Sequence, residues 1–174
     1  MKLAGPVFTM SGSPKAVDGH ESLLAWTGFL SRAPRGAVVV CEGNDDVRAL
    51  MGELSAETLQ MRGVRGYVTD GASRDCGFIQ RLGFPVFCRG RTPRDVVGTW
   101  TPDAFDEPVV IGGCRVLPGD WILGDIDGVV VIPGAIAEPV ISEVEAVMLT
   151  ENQVRKAILE GMDPQQAYLR HRKF

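Results

Sequence analysis

The chain has 174 residues, of which 45% are hydrophobic and 23% charged, a composition typical of a globular protein with a sizeable core. Its formal net charge of −4 argues against general nucleic-acid binding, which favours basic surfaces. No apolar run reaches membrane-spanning length, and the first residues lack the basic-then-apolar pattern of a secretory signal, so we expect a cytoplasmic protein without a membrane partner. The four cysteines lack CxxC spacing and are predicted to be reduced thiols.

The first half of the chain predicts alternating strands and helices. An apolar strand is expected over residues 3–10, followed by a polar loop over 11–18. Apolar residues recur with helical spacing over 21–30, and this helix is expected to end before Pro34 and Gly36.

A βαβ unit follows and brings charged residues to one place. Residues 37–41 (AVVVC) and 66–69 predict buried strands, and 51–61 predicts the helix between them, with Gly63 ending it. Such a crossover makes the two strands parallel, so their carboxyl ends share one edge of the sheet. The helix begins after the first strand, and Arg74-Asp75 follows the second. We therefore expect Glu53, Arg74 and Asp75 to converge at this edge, where α/β proteins usually bind ligands.

The second half changes in character. The segment 90–105 has no clear period and is expected to be a long surface loop. Short β runs separated by Gly- and Pro-containing turns then predict antiparallel or mixed β structure. Asp163-Pro164 predicts the start of a last short helix. The remaining predicted elements are a helix at 75–82, strands at 85–88, 108–111, 114–117, 121–123 and 128–132, and a long helix at 135–159.

Arg74 and Asp75 admit two interpretations. Asp75 could serve only as a helix N-cap, and Arg74 only in a surface ion pair. Alternatively, one carboxylate plus water suits Mg²⁺, and Arg offers a planar fork for a substrate carboxylate. Helix amides at Gly52, Glu53 and Leu54 favour an anion. Together these groups would hold a 2-oxo acid and stabilise an enolate. The spacing alone leaves both interpretations open.

Arginines concentrate in the predicted loop. Arg89, Arg91 and Arg94 could reach a second carboxylate of a substrate, or they could simply form a solvated loop. No dinucleotide-binding fingerprint or P-loop is present in the sequence.

Five ordered motifs resemble the RraA-like family. They are GEL, RG-x-x-G-x-V-x-DG-x-x-RD, PVF, GG-x-x-V-x-PGD and D-x-DGVVVIP. This family includes divalent-metal class II pyruvate aldolases acting on 4-hydroxy-4-methyl-2-oxoglutarate and 4-carboxy-4-hydroxy-2-oxoadipate. It also includes regulators of ribonuclease E activity, which act by binding a protein. The resemblance implies an α/β fold with a single β/β/α swivelling-type domain over residues 1–174, a βαβ core and a long C-terminal helix.

The resemblance also implies roles for individual residues. Arg74 is similar to the residue that binds the substrate carboxylate, and Asp75 to the direct ligand of Mg²⁺ or Mn²⁺. Glu53 matches an acidic residue that holds metal-bound water, at a position where many aldolases have Asp. Gly52 and Leu54 belong to the loop that supplies backbone amides.

The family's assembly implies a further acid from a neighbouring subunit. Its members form trimers or dimers of trimers with sites between subunits, and Glu151 on the long helix is the candidate, with Glu145 behind it. Two departures stand out: Phe78 replaces a carboxylate found in some members, and the chain is expected to begin inside the family fold, without the usual N-terminal helical stretch.

The resemblance leads to two hypotheses of function. The first is a divalent-metal-dependent aldolase that cleaves a 4-hydroxy-2-oxo acid to pyruvate, with oxaloacetate decarboxylation as a side activity. The alternative is a non-catalytic regulator that binds a ribonuclease or another protein.

Overall fold

The computed structural model describes residues 2–173, and internal contacts divide the chain into two compact units, Met1–Gly134 and Ala135–Phe174. The helices of the first unit are α1 (Gly19–Arg32), α2 (Glu53–Met61) and α3 (Cys76–Leu82). Its strands are β1 (Leu3–Pro14), β2 (Val38–Glu42), β3 (Gly66–Thr69), β4 (Ala72–Ser73), β5 (Val86–Phe87), β6 (Gly90–Arg91), β7 (Trp100–Phe105), β8 (Val109–Ile111), β9 (Cys114–Val116), β10 (Trp121–Asp125) and β11 (Gly128–Ile132).

The predicted βαβ unit is confirmed. Strands β1, β2, β3 and β5 lie side by side and parallel, with Val39 of β2 paired with Tyr67 of β3. Helix α2 connects β2 to β3 and ends at Met61. Gly63 follows shortly after, and its φ of +78° is the left-handed conformation that glycine adopts most readily. The carboxyl ends of β2 and β3 therefore share one edge of the sheet, as the sequence predicts.

Strand β2 forms the centre of two apolar layers. Its residues Val38 to Cys41 are fully buried, because neighbouring strands pair with both of its edges and apolar clusters cover both faces of the sheet. Val39 and Cys41 face the cluster that includes α1 and α2 residues, whereas Val38 and Val40 face a second cluster built with β8, β9 and β10. This alternation explains the continuous AVVVC run, which is typical of a parallel strand buried on both faces.

Two loop predictions are wrong, and one long-range pairing explains both. Strand β1 continues through residues 11–14, which were expected to begin a loop, and its distal half pairs antiparallel with β7. Strand β7 itself lies inside the segment 90–105, predicted to be an extended loop. Gly12 packs against the buried Trp100 indole, where a Cβ would overlap the ring. Because the pairing joins segments about 90 residues apart, local pattern does not reveal it.

The remaining strands confirm the prediction of antiparallel structure after residue 105. Strands β8 and β9 form one hairpin, and β10 pairs antiparallel with both β1 and β11. The first unit is thus a mixed sheet with helices on one face.

The second unit contains the predicted long helix, α4 (Ala137–Leu159), followed by α5 (Pro164–His171). A 3₁₀ turn at Gly134–Ile136 precedes α4. Asp163 caps α5 by accepting hydrogen bonds from the amides of Gln165 and Gln166, and Pro164 occupies the first turn, as predicted. Within residues 2–173, no helix combines the length and hydrophobicity that crossing a membrane requires.

Candidate active site

Two backbone segments run side by side beyond the carboxyl ends of β2 and β3. The Leu50 amide donates to the Ala72 carbonyl oxygen over 2.8 Å, and the Arg74 amide donates to the Met51 carbonyl oxygen over 2.8 Å. The buried Ser73 hydroxyl also donates to the Met51 carbonyl oxygen. These bonds fix the first turn of α2 next to Arg74 and Asp75, although over 20 residues of chain separate them.

Asp75 does not act as a simple N-cap. It occupies the N-cap position of α3, but its side chain accepts no hydrogen bond from that helix. Instead, Asp75 Oδ2 accepts a hydrogen bond from the Glu53 amide, at the start of α2, over 3.0 Å. The backbone of Asp75 is left-handed, with φ of 54°, a conformation that costs a non-glycine residue about 1 kcal/mol or more. Such strain is typical of residues held in place for function.

The Arg74 guanidinium lies between two carboxylates. Its Nη1 donates to Asp95 Oδ2 over 2.9 Å, and its Nε lies 3.6 Å from Asp75 Oδ2. Asp95 is itself fixed, because its Oδ1 accepts from the Val96 and Val97 amides. All three charged side chains are about 40% exposed, so the ion pairs themselves contribute only about 1 kcal/mol or less. Their consequence is geometric: they orient the guanidinium.

Gly52 allows this close arrangement. A Cβ on Gly52 would lie 2.8 Å from Arg74 Nε and 3.0 Å from Asp75 Oδ2, closer than van der Waals contact permits. Its φ of −142° is accessible to any residue. The requirement for glycine is therefore one of space beside the two charged side chains.

Arg74 separates two cavities. One, the Asp75 cleft, has a volume of about 370 Å³ and is lined by Ser73, Arg74, Asp75, Cys76, Arg91, Thr92 and Pro93. The other, the α1–α2 pocket, also has a volume of about 370 Å³ and is lined by apolar and hydroxyl side chains of α1 and α2 together with residues outside these helices, among them Arg74 and Asp95. Both volumes fall in the range of small-molecule sites.

The remaining predicted residues are placed less directly. Glu53 and Leu54 are exposed at the start of α2, where Glu53 contributes its amide to Asp75. The Glu53 carboxylate makes no ion pair with another residue in the range 2–173. Glu151 lies on α4 in the second unit, where its carboxylate accepts a hydrogen bond from Arg155 over 2.8 Å. Its predicted role in a neighbouring subunit's site stays a prediction.

The donor set limits which metals fit. Among residues 2–173, no group of three or more His, Cys, Asp or Glu residues is arranged to hold an ion. A cation at Asp75 would therefore have one protein carboxylate and several waters. This coordination suits Mg²⁺ or Mn²⁺, which accept hard oxygen ligands, and Mg²⁺ in particular keeps much of its hydration. Asp75 Oδ1 makes no hydrogen bond within the described part of the chain and is a suitable ligand atom.

Asp95 was missed from sequence, whereas Arg91 was named there as one of three arginines that could reach a substrate carboxylate. Both residues lie in the segment 90–105, which was expected to be a long surface loop, and their positions depend on how that segment folds back. The parallel pairing of β4 with β6 places Arg91 opposite Ser73. The arginine enrichment of this segment was the only signal in the sequence.

Comparisons with known proteins identify the family. The sequence model of the RraA-like family, described as Aldolase/RraA, matches residues 1–131. The chain belongs to this family, which confirms the resemblance seen in the motifs.

Relatives and solved structures extend this result. The chain is 30% identical over 168 residues to "Putative 4-hydroxy-4-methyl-2-oxoglutarate aldolase" of Halalkalibacterium halodurans, covering 97% of this chain and 77% of that protein. It is 35% identical over 149 residues to a Burkholderia mallei protein of the same name, covering 79% and 88%.

Among solved structures, RraAS2 of Streptomyces coelicolor, described as an unusual member of the RNase ES inhibitor RraA protein family, aligns with a TM-score of 0.79 and 29% identity. The alignment covers 90% of this chain and 78% of RraAS2. The predicted α/β fold class, with its long C-terminal helix, is thereby confirmed.

Proposed function

We propose that this protein is a divalent-metal-dependent lyase that cleaves a 4-hydroxy-2-oxo acid to release pyruvate, and that it also decarboxylates oxaloacetate. The observation that carries the proposal is the position of the Asp75 carboxylate. The backbone of this residue is left-handed, and the carboxylate lies in the same cleft as Arg74 and against the first amide of α2. The aldolase names of the two relatives support the same class of reaction.

Arg74 binds the substrate's 1-carboxylate in this proposal. Asp95 engages Nη1, whereas the 3.6 Å separation between Nε and Asp75 is too long for a hydrogen bond. The guanidinium edge formed by Nε and Nη2 is therefore available for a bidentate contact with a carboxylate. The amides that begin α2 add a partial positive charge on the same side.

Asp75 provides the carboxylate ligand for Mg²⁺ or Mn²⁺. Its Oδ2 accepts a hydrogen bond from the Glu53 amide, and this bond restricts rotation of the side chain. Little conformational entropy of the Asp75 side chain would therefore be lost when Oδ1 binds a cation. The cation would act as a Lewis acid on the 2-oxo group and stabilise the negative charge left by carbon–carbon cleavage. When a cation is bound, the exposed Glu53 carboxylate would hold water at this site, and Glu151 of a neighbouring subunit would complete the acid–base set.

The test is a pyruvate-release assay with purified protein. Racemic 4-hydroxy-4-methyl-2-oxoglutarate and oxaloacetate are supplied with Mg²⁺, with Mn²⁺ or with excess chelator. We expect pyruvate from both substrates only when the metal is present. Release that is unaffected by the chelator, or no release above the metal-catalysed background, would contradict the proposal.

A second candidate function is protein-binding regulation, favoured by the similarity to RraAS2. Exposed leucines line the α1–α2 pocket, namely Leu23 and Leu54. Such a surface suits a protein partner. Inhibition of ribonuclease E cleavage by protein that releases no pyruvate would favour this candidate over the lyase.

A further inference from the structure

Two thiols lie on the same side of the sheet, at the edge that forms the Asp75 cleft. Cys76 is the first residue of α3 and lines the cleft. Cys88 follows directly after β5, whose Val86 packs against the apolar cluster on the helix side. Residues two apart in a strand point to the same face, so Cys88 is directed toward the helices. Helix α3 packs on that face, because its Ile79 belongs to the same cluster.

The contacts of the Cys88 thiol place it beside the cleft. Its Sγ donates a hydrogen bond to the Gly90 carbonyl oxygen over 3.3 Å, and Gly90 pairs with Ala72 between β6 and β4. Burial raises the pKa of the Cys88 thiol, and the neighbouring Cys76 thiol raises it further. Two half-buried thiols from different elements, α3 and the turn after β5, therefore lie close together next to Asp75.

The other two cysteines do not share this arrangement. Cys41 is buried in the central strand β2, and Cys114 is exposed on the β8–β9 hairpin. Neither lines the Asp75 cleft. Cys76 and Cys88 are both free thiols in the structure, and they are in a position to react with each other, whereas the other two cysteines serve as internal comparisons.

We propose that Cys76 and Cys88 form a disulfide when the protein meets a peroxide, and that this disulfide inactivates the Asp75 cleft. The inference rests on the proposed function only for the activity that is lost, because the modification itself is a property of the two thiols. Transient disulfides of this kind act as redox sensors in proteins whose cysteines are otherwise reduced.

The reaction balances with hydrogen peroxide as the oxidant. The Cys76 sulfur, which lines the cleft, attacks one peroxide oxygen, so the O–O bond breaks, a sulfenic acid forms and one water leaves. The Cys88 sulfur then attacks the sulfenic sulfur, and the S–O bond breaks with release of a second water. The two thiols lose two electrons and two protons in total, and the peroxide is reduced to two molecules of water.

The disulfide would disturb Asp75 because Cys76 follows it directly. In the reduced protein, the Cys88 thiol is bound to the Gly90 carbonyl oxygen, and the Asp75 carboxylate accepts from the Glu53 amide. Formation of the disulfide has to draw the two sulfurs into bonding distance. This movement displaces the first residue of α3 and the left-handed residue before it, so the carboxylate loses the orientation that a cation requires.

Peptide mapping detects the modification directly. Trypsin cleaves after arginine, so residues 75–81 and 82–89 form two separate peptides with one thiol each. The purified protein is treated with hydrogen peroxide, its remaining thiols are blocked with iodoacetamide, and the digest is analysed by mass spectrometry without reductant. We expect the two peptides to be linked, and dithiothreitol to separate them.

Three serine variants distinguish this pair from other oxidation. Cys76→Ser and Cys88→Ser should give no linked peptide, whereas Cys114→Ser should form it like the wild type. The Mg²⁺-induced rise in melting temperature then measures the effect on the cleft. Peroxide should abolish this rise in the wild type and in Cys114→Ser, and dithiothreitol should restore it. Cys88→Ser changes a thiol outside the cleft lining and should keep the Mg²⁺ response at peroxide doses that fully link the wild type.

The two proposals fail in different ways. Absence of the linked peptide in the wild type, or a linked peptide with an unchanged Mg²⁺ response, would overturn the inactivation by a disulfide. A linked peptide in a protein whose reduced form neither responds to Mg²⁺ nor releases pyruvate would support the thiol pair and overturn the lyase, together with its control.

Discussion

The Glu53 amide donates a hydrogen bond to Asp75 Oδ2 over 3.0 Å, and this bond joins the N-terminus of α2 to the left-handed residue that precedes α3. A carboxylate aligned with a helix N-terminus is stabilised by the helix dipole. Here the helix belongs to the neighbouring βα connection. The hydrogen bond therefore shows that the segment after β2 and the segment after β3 lie in direct contact at the sheet edge.

If activity needs this close contact between α2 and Asp75, any side chain at Gly52 is expected to lower activity. In Gly52→Ala, the new methyl would lie about 3 Å from Arg74 Nε and Asp75 Oδ2, so both side chains must move. We expect pyruvate release to fall at least tenfold, with a small change in melting temperature because the backbone conformation suits alanine. Steady-state kinetics and a thermal melt measure the two effects.

Gly28→Ala is the matched control for that substitution. Gly28 lies within α1, and nothing stands within 4 Å of its Cβ position. Alanine there should stabilise the protein by about 0.5–1 kcal/mol and leave kcat/KM unchanged. If Gly52→Ala left kcat/KM as unchanged as Gly28→Ala does, the close packing of Gly52 against Arg74 and Asp75 would not be needed for activity.

The sequence predicts those parts of the site whose positions depend on the local pattern of strands, helices and turns. The AVVVC strand, the helix after it and Gly63 specify a right-handed crossover, and the crossover alone brings residue 53 toward residues 74 and 75. The orientation of the Glu53 and Asp75 side chains could not be predicted from the sequence. The sequence gives no sign that Asp75 is left-handed or that the Glu53 amide, not its carboxylate, makes the contact.

The positions of Asp95 and Arg91 in the fold could not be predicted for a different reason. Both belong to a segment without hydrophobic period, whose shape is fixed by pairing with distant strands β1 and β4. Hydrogen bonds between backbone groups determine that path, and any polar sequence could supply them. The residues of this segment that lie at the site can be identified only once the strand pairing is known.

Arg74→Lys is expected to lower kcat/KM by tenfold or more. Lysine keeps the positive charge but cannot donate to Asp95 and present a second, bidentate edge to a substrate carboxylate. If Arg74 binds the ground state and transition state alike, most of the loss should appear in KM. Arg48→Lys is a suitable control, because Arg48 also pairs with an aspartate, Asp45, but lies outside the Asp75 cleft. Equal kcat/KM values for Arg74→Lys and Arg48→Lys would show that Arg74 does not bind the substrate.

Cys41 should make the protein less stable at alkaline pH. Burial raises the pKa of its thiol to about 12, from 9.0 for an ordinary thiol. Between these values the unfolded chain loses this proton and the native chain keeps it, so the unfolding free energy falls as pH rises from about 9 to about 12. The slope for one thiol approaches 1.4 kcal/mol per pH unit.

Cys41→Ala tests that slope. Urea melts at pH 7.5 and pH 10.5 should show a smaller alkaline loss of unfolding free energy for Cys41→Ala than for the wild type. Cys114→Ala changes an exposed thiol and should keep the wild-type slope. Identical slopes for all three proteins would show that Cys41 does not govern the alkaline transition.

The protein is expected to assemble as a trimer or hexamer. The family resemblance implies sites between subunits, and α1 and α2 expose Leu23, Leu24 and Leu54, an apolar surface that would suit an interface. Light scattering at micromolar concentration should give three or six times the chain mass of 18.8 kDa. Leu24→Glu should shift the species toward monomer if this surface is the interface. A wild-type protein that is only monomeric would contradict the shared site.

Asp75→Asn separates the metal-ligand role of Asp75 from a structural one. Asparagine keeps the shape, tolerates the left-handed backbone and still accepts the hydrogen bond from the Glu53 amide. Without metal, the unfolding free energy should therefore change by less than about 1 kcal/mol.

With metal, the two roles predict different results. Loss of the negative charge should abolish both the Mg²⁺-induced rise in melting temperature and the release of pyruvate, because the cation that polarises the 2-oxo group is no longer held. Glu53→Gln is the comparison, and it should be milder because the Glu53 carboxylate is proposed to act through water. Thermal shift and turnover are measured for both variants with and without Mg²⁺. An Asp75→Asn protein with full metal-dependent activity would overturn the lyase proposal and leave protein-binding regulation as the better-supported function.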